Sequence, residues 1–90
     1  MELGLTDKIA IVTGSSRGLG LAIARSLAVE GCRVCLCARG EPGLLEAAAE
    51  VGHLAGDRAR VLPVVADLAT AEGVKAVIDR TVAAFGGLDI

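Results

Sequence analysis

The chain has 90 residues, a hydrophobic fraction of 53% and a formal net charge of −2, which makes it one domain at most and too apolar to stay disordered for want of a core. Its acidic balance, with a pI near 5.2, supplies no basic field for gripping a phosphate backbone and argues against nucleic acid as a partner. Phe85 is the single aromatic residue and there is no Tyr or Trp, so chemistry that needs a phenol proton or an indole platform finds no residue here.

Lys8, Arg17, Arg25 and Glu30 interrupt the N-terminal third, and no apolar run reaches the ~18 residues of a membrane span. The first eight residues lack the basic start and long apolar stretch of a secretory signal. No membrane association is expected, and the expected address is the cytoplasm. Cys32, Cys35 and Cys37 form an odd, crowded set, which suits reduced thiols better than a disulfide framework.

Short apolar runs alternate with longer segments of helical period. Lys8 to Thr13 is a β-branched run that ends in Gly14-Ser15-Ser16-Arg17-Gly18, a turn too rich in Gly and Ser to continue a strand. From Leu19, apolar positions recur at Ile23 and Leu27 with Ala22 and Ala24 beside them, and Gly31 supplies a stop, which predicts a first helix. Cys32 to Ala38 reads as a second strand. Pro42 sits where the first turn of a helix tolerates it, ahead of a second helix over Leu44 to Glu50. Arg60 to Ala66 reads as a third strand, and Pro63, which cannot donate to a ladder, belongs on a sheet edge. Thr70 can cap a third helix carrying Val74, Val77, Ile78 and Phe85 on one face, closed by Gly86-Gly87 before a further apolar run begins at Leu88-Asp89-Ile90. This β-α-β-α-β-α-β order predicts an α/β fold, a doubly wound parallel sheet with right-handed crossovers that is cut at the start of its fourth strand.

The stretch Thr13-Gly14-Ser15-Ser16-Arg17-Gly18-Leu19-Gly20 lies between the first strand and the first helix, where unsatisfied amides and the positive end of the helix dipole favour a phosphate. Gly14 suits a tight or left-handed turn leaving the strand, Gly18 lets a pyrophosphate approach with no Cβ in the way, and Gly20 lets the helix close on the sheet. A plain turn before a flexible helix start is the simpler alternative. The strand-loop-helix setting favours the dinucleotide reading. No Lys-Ser or Lys-Thr follows the last glycine, so a nucleoside-triphosphate loop is disfavoured.

The spacing Thr-Gly-x-x-x-Gly-Leu-Gly resembles the N-terminal part of the short-chain dehydrogenase/reductase family. Thr6 to Val12, Ala38-Arg39, Asp67-Leu68 and Phe85 to Ile90 agree with it, so that the resemblance spans all 90 residues. It implies a Rossmann-type NAD(P)-binding fold, with residues 1–90 as a partial dinucleotide-binding domain. It also implies an oxidoreductase that moves hydride between nicotinamide and a carbonyl or alcohol carbon. Carried over residue by residue, the cofactor contacts fall on Gly14, Ser16, Arg17, Gly18, Leu19, Gly20, Arg39, Asp67 and Leu68.

In a dinucleotide fold the end of the second strand meets the adenosine ribose, where an acid suits two free hydroxyls and a cation suits a 2′-phosphate. Ala38 stands where the NAD-preferring members of the resembling family place Asp, with Arg39 next to it and Arg17 directed from the glycine loop towards the same corner. NADP(H) is therefore expected over NAD(H), the alternative being that both arginines are solvated loop charges. By the same resemblance Asp67 holds the adenine amino group and Leu68 touches the ring, whereas its position three residues before Thr70 also suits a capping role.

Other chemical-looking residues read as structural. On a strand, Cys32 and Cys35 point to opposite faces while Cys35 and Cys37 share one, so these are packing residues rather than a redox pair. His53, the lone histidine, reads as a solvated loop residue and completes no metal site with the clustered cysteines. Glu41, Glu46, Glu50 and Arg58 read as a wet helix face and connection. The family's catalytic Tyr, Lys, Ser and Asn find no counterpart here, so no catalytic residue is assigned and the ninety residues alone are expected to be inactive. A small-molecule substrate is expected only in a longer form. The alternative is a non-catalytic dinucleotide-binding or interaction module, or an inert truncated piece. In the 3-2-1-4 strand order of this fold, an absent fourth strand leaves Ile9 to Thr13 as an open edge, with marginal stability or self-association the expected result.

Overall fold

The computed structural model describes residues 6–14 and 18–89. Apolar side chains at Ile9, Ala10 and Val12 are buried on β1 (Ile9–Thr13). The next two strands are β2 (Arg33–Ala38) and β3 (Val61–Val65). They form one parallel sheet in the order β1-β2-β3, with Ile11 opposite Cys35 and Cys35 opposite Leu62. The helices are α1 (Gly18–Val29), α2 (Glu41–Ala55) and α3 (Ala71–Phe85), with a short 3-10 turn at Arg58–Arg60 before β3.

The alternation of side chains along the strands divides the core in two. Val34, Leu36 and Val12 pack with Ala24, Ala28, Leu44, Ala47 and Val51 on the α1 and α2 side, while Cys35, Cys37 and Val64 pack with Val77 on the α3 side. Helices on both faces of a parallel sheet make this a doubly wound α/β fold, as the element order predicts. Cys32 belongs to the first layer and Cys35 and Cys37 to the second, which is the division the strand period requires. Pro63 lies on β3, which pairs with β2 alone among the described residues, so the proline is on an edge.

The ends of the helices follow local chemistry. Thr70 Oγ1 accepts a hydrogen bond from the Gly73 amide at 3.0 Å, and Gly86 closes α3 at a φ of 86°. Pro42 sits in the first turn of α2. Gly31 adopts a φ of 91° in the turn from α1 into β2.

Three expectations need correction. The α1 residues Leu19 and Ile23 are exposed, by 77% and 44%. The buried seam of that helix is Ala24 and Ala28, because small residues allow the helix to lie close on the sheet while the larger ones overhang the outer edge of β1. On α3, Val77 and Thr81 are buried whereas Val74 and Ile78 are exposed. His53 is on α2 rather than in a loop, because the helix continues to Ala55 and closes at Gly56 with a left-handed φ of 78°. Glu50, on that same helix, makes an ion pair with Arg25 of α1 at 2.6 Å.

At the far end of the chain, the Asp89 amide donates to the Ile9 carbonyl at 2.9 Å and Asp89 Oδ2 accepts from the Ile9 amide at 2.9 Å. The segment after α3 thus comes to lie beside β1, on the edge away from β2.

Candidate functional site

The carboxyl ends of the three strands open on one side of the sheet, where ligands of open parallel sheets bind. Gly14 leaves β1 with a φ of 58° and Gly18 enters α1 with a φ of 64°, left-handed conformations that glycine adopts at little cost. Around both positions the space where a Cβ would sit is open. Gly20 is constrained differently: a Cβ there would meet the Gly14 carbonyl oxygen at 2.5 Å and the Thr13 oxygen at 3.0 Å. The first turn of α1 therefore rests on the backbone that leaves β1, and its free amides start at the mouth of the site. Ser16 and Arg17 lie outside the described residues.

A cavity of about 280 Å³ occupies this end of the sheet. Gly14 forms one wall, Cys37, Ala38 and Arg39 from the end of β2 a second, and Ala66, Asp67, Leu68 and Ala69 after β3 a third. Four of the residues singled out in the sequence, Gly14, Arg39, Asp67 and Leu68, are thereby brought together. Leu19 and Gly20 line a neighbouring apolar groove on the α1 side instead, and Gly18 lines neither.

The third wall is held by a compact loop. Asp67 Oδ1 accepts from the Ala69 amide at 2.9 Å, and the Asp67 carbonyl accepts from Thr70 Oγ1 at 2.9 Å. The structural role considered for Asp67 is therefore present, with Oδ1 engaged within the loop. A Cβ on Gly73 would collide with the Asp67 carbonyl, so glycine is required where the loop folds over the start of α3.

Cys37 reaches the cavity from below while its Sγ donates to the Val12 carbonyl at 3.5 Å. Burial, with a smaller effect of neighbouring Cys35, pushes its thiol up to about 11, so it lines the site as a neutral group. Sequence reasoning took Cys37 for a packing residue only and passed over Ala66 and Ala69. The available signal was position: Cys37 is the penultimate residue of β2, and the two alanines flank Asp67-Leu68. Among the described residues no cluster of three or more His, Cys, Asp or Glu could hold a metal ion, and no helix is long and apolar enough to cross a membrane.

Residues 8–90 match the family model for short chain dehydrogenase. An uncharacterized oxidoreductase of Staphylococcus aureus is 43% identical over 86 residues, covering 96% of this chain and 35% of that protein, and one of Mycobacterium tuberculosis is 44% identical, covering 96% and 32%. Among solved structures, L-sorbose reductase of Gluconobacter frateurii, complexed with NADPH and L-sorbose, superposes with a TM-score of 0.92 at 46% identity, covering 99% of this chain and 33% of that one. A 3-ketoacyl-(acyl-carrier-protein) reductase of Brucella melitensis, complexed with NADH, gives 0.84 at 29% identity, covering 94% and 33%. The chain spans about a third of the length of these relatives. Its strand order, its glycine turn and these matches agree: the chain belongs to the short-chain dehydrogenase family.

Proposed function

We propose that residues 1–90 are the adenosine-binding part of an NADP(H)-dependent oxidoreductase. The observation that carries this reading is the makeup of the cavity, where Gly14, Ala38, Arg39, Asp67 and Leu68 converge at the carboxyl ends of the strands. The open space about Gly14 and Gly18 suits a diphosphate approaching the loop, with the start of α1 offering amides and positive dipole to it. Leu68 supplies an apolar surface for the base, and Asp67 retains Oδ2 for the adenine amino group while Oδ1 holds the loop.

Cofactor preference rests on the end of β2. Ala38 presents no carboxylate to repel a 2′-phosphate, and the exposed Arg39 guanidinium stands at the same wall. A charge-assisted hydrogen bond of that kind contributes ~1.5–3 kcal/mol. The NADPH complex of the sorbose reductase supports this preference, and the NADH complex of the ketoacyl reductase marks the alternative within the family.

When bound, the nicotinamide dinucleotide supplies or accepts the hydride; this chain's residues hold its adenosine end and orient it along the glycine turn. The ninety residues contain no Tyr, so a family-type phenol acid/base has no candidate among them.

Calorimetric titration of NADPH and NADH into the purified chain tests the binding reading. Tighter NADPH binding, weakened by Arg39→Gln, supports it. Equal affinities, or tighter NADH, would remove the NADP(H) preference, and no binding of either would remove the site. Hydride transfer is tested in a longer form carrying the family's Tyr and Lys, by following NADPH absorbance with carbonyl substrates.

A further inference from the structure

The loop that forms the third wall of the cavity is tied at both ends. The Ala66 amide donates to the Ala38 carbonyl at 3.1 Å, which joins the start of the loop to the end of β2. Its far end meets α3 through Thr70, whose hydroxyl works in both directions: Oγ1 accepts from the Gly73 amide at 3.0 Å and donates to the Asp67 carbonyl at 2.9 Å. The Thr70 amide donates to the same carbonyl at 3.2 Å. A helix cap needs only the bond from the Gly73 amide, and Asp, Asn or Ser would accept it equally well. The donation to Asp67 goes beyond capping. So does the absence of a side chain at residue 73, where a Cβ would collide with the Asp67 carbonyl and stand 3.0 Å from Thr70 Oγ1. Glycine disfavours a helix relative to alanine, yet here it lets the loop lie directly on the first turn of α3. That helix is in turn anchored on the sheet, where Val77 packs with Cys35, Cys37 and Val64.

We infer that Thr70 is a positioning residue of the adenine subsite: its hydroxyl, seated against Gly73, fixes the peptide of Asp67 and through it the direction in which the Asp67 carboxylate meets the base. This rests on the adenosine reading of the cavity and adds to it a residue outside the cavity lining. Two restraints act on the carboxylate. Oδ1 accepts from the Ala69 amide at 2.9 Å, which sets the side chain relative to its own loop, and the Thr70 hydroxyl sets that loop relative to α3. With both in place, Oδ2 is the oxygen left for an exocyclic amino group. Without the second, the turn from Asp67 to Ala69 persists but shifts as a unit on the helix. Hydrogen bonds weaken steeply with misalignment, whereas burial of a base against Leu68 is not directional and tolerates the shift. Loss of the Thr70 donor therefore removes discrimination of the amino group and leaves most of the remaining affinity.

Calorimetry with NADPH and with its hypoxanthine counterpart, which has the same charge and a carbonyl in place of the adenine amino group, reads the direction of Asp67 as a ratio of dissociation constants. In the parent chain a hydrogen bond to the carboxylate makes this ratio about tenfold or more. Thr70→Ser, which keeps the hydroxyl, retains it. Thr70→Asp keeps an acceptor for the Gly73 amide but cannot donate to the Asp67 carbonyl, so its denaturation midpoint stays near the parent's while the ratio falls to about twofold or less. The added charge acts on both probes alike and cancels in the ratio. A parent-like ratio in Thr70→Asp would overturn the inference and leave the adenosine reading intact. Equal binding of the two probes by the parent would remove the contact of Asp67 with the amino group and the inference with it, and no binding of either would remove the site altogether. Should Thr70→Asp fail to fold, Thr70→Ala decides, at a temperature where its circular dichroism matches the parent's: it must show the same narrowed ratio, and an undiminished one counts against the positioning role.

Discussion

Gly20 and Gly14 meet backbone to backbone: a Cβ on Gly20 would stand 2.5 Å from the Gly14 carbonyl oxygen. Neither atom belongs to a flexible side chain that could yield. Gly20→Ala therefore lifts α1 off the end of β1, an overpacking that costs ~1–3 kcal/mol. Gly14→Ala meets open space but must hold a φ of 58°, which costs ~1–2 kcal/mol from the left-handed backbone alone. Urea denaturation of both variants should show losses in these ranges, and dinucleotide affinity should fall more for Gly20→Ala because the loop itself moves.

Arg39 tests the cofactor preference from the protein side. Loss of one charge-assisted bond, at ~1.5–3 kcal/mol, corresponds to about a ten- to hundredfold weaker dissociation constant. Arg39→Gln should weaken NADPH by this factor and leave NADH nearly unchanged. Ala38→Asp should add repulsion of the 2′-phosphate and improve NADH. A parallel loss for both cofactors in Arg39→Gln would mean that this arginine serves the shared part of the dinucleotide.

Arg60 binds three parts of the chain together. Its Nη2 donates to the Gly31 carbonyl at 2.5 Å and to Asp7 Oδ1 at 2.6 Å, while the Asp7 amide donates to Gly31 at 2.9 Å. The hydrogen bond from Arg60, then its charge, holds the Asp7 carboxyl below its ordinary range. A depressed folded-state value means that the stabilisation is present above the unfolded pKa of ~3.9 and is lost as pH falls through the folded one. Denaturation midpoints should drop on acidification below pH ~4, and Arg60→Met should make that decline shallower while lowering stability at neutral pH.

The thiols predict the opposite limb. Burial raises Cys35 and Cys37, the latter to about 11 from an ordinary 9.0. A raised thiol contributes stability below its unfolded pKa, and that contribution disappears as pH climbs towards the folded value. Stability should therefore decline between pH 9 and 11, and Cys37→Ala should flatten the decline. At pH 8 a disulfide reagent should modify the three buried cysteines only as fast as the protein opens.

Thr70 secures the third wall of the cavity as well as α3. Removing its hydroxyl deletes the acceptor for the Gly73 amide and the donor to the Asp67 carbonyl. Thr70→Ala should cost ~1 kcal/mol, as lost N-caps do. Thr70→Ser should restore most of it, since only the hydroxyl is required.

Most of the fold was readable because its signals are local. β-branched runs, the glycine turn, Thr70 before an amphipathic stretch and Gly86 after it each fix one boundary, and the strand period alone placed Cys32 apart from Cys35 and Cys37. The errors arose where tertiary contacts decide. Gly52 is buried inside α2 with Arg58 close against it, and the helix runs past it to Ala55, so that His53 lies within it. The turn Arg58–Arg60 is formed by Asp57 Oδ1 accepting from the Ala59 amide, a bond with no periodic signature. Leu19, Ile23, Val74 and Ile78 have the spacing of core residues, and periodicity cannot tell which layer covers them. At the site, the loop glycines and the residues following each strand were legible from the β-α order. For Cys37 the position near the end of β2 was the available signal, while its place in the cavity wall also depends on how far β2 extends relative to its neighbours.

The two rims of the sheet are unequal. Ala66 donates to Ala38, so by alternation the ring nitrogen of Pro63 faces away from β2 and blunts the outer side of β3. On the opposite rim, Ile9 is bonded by both the amide and the carboxylate of Asp89. Sheet growth past β3 is accordingly blocked where Pro63 offers no amide, whereas on the β1 side the chain itself already comes to lie along the edge at Asp89.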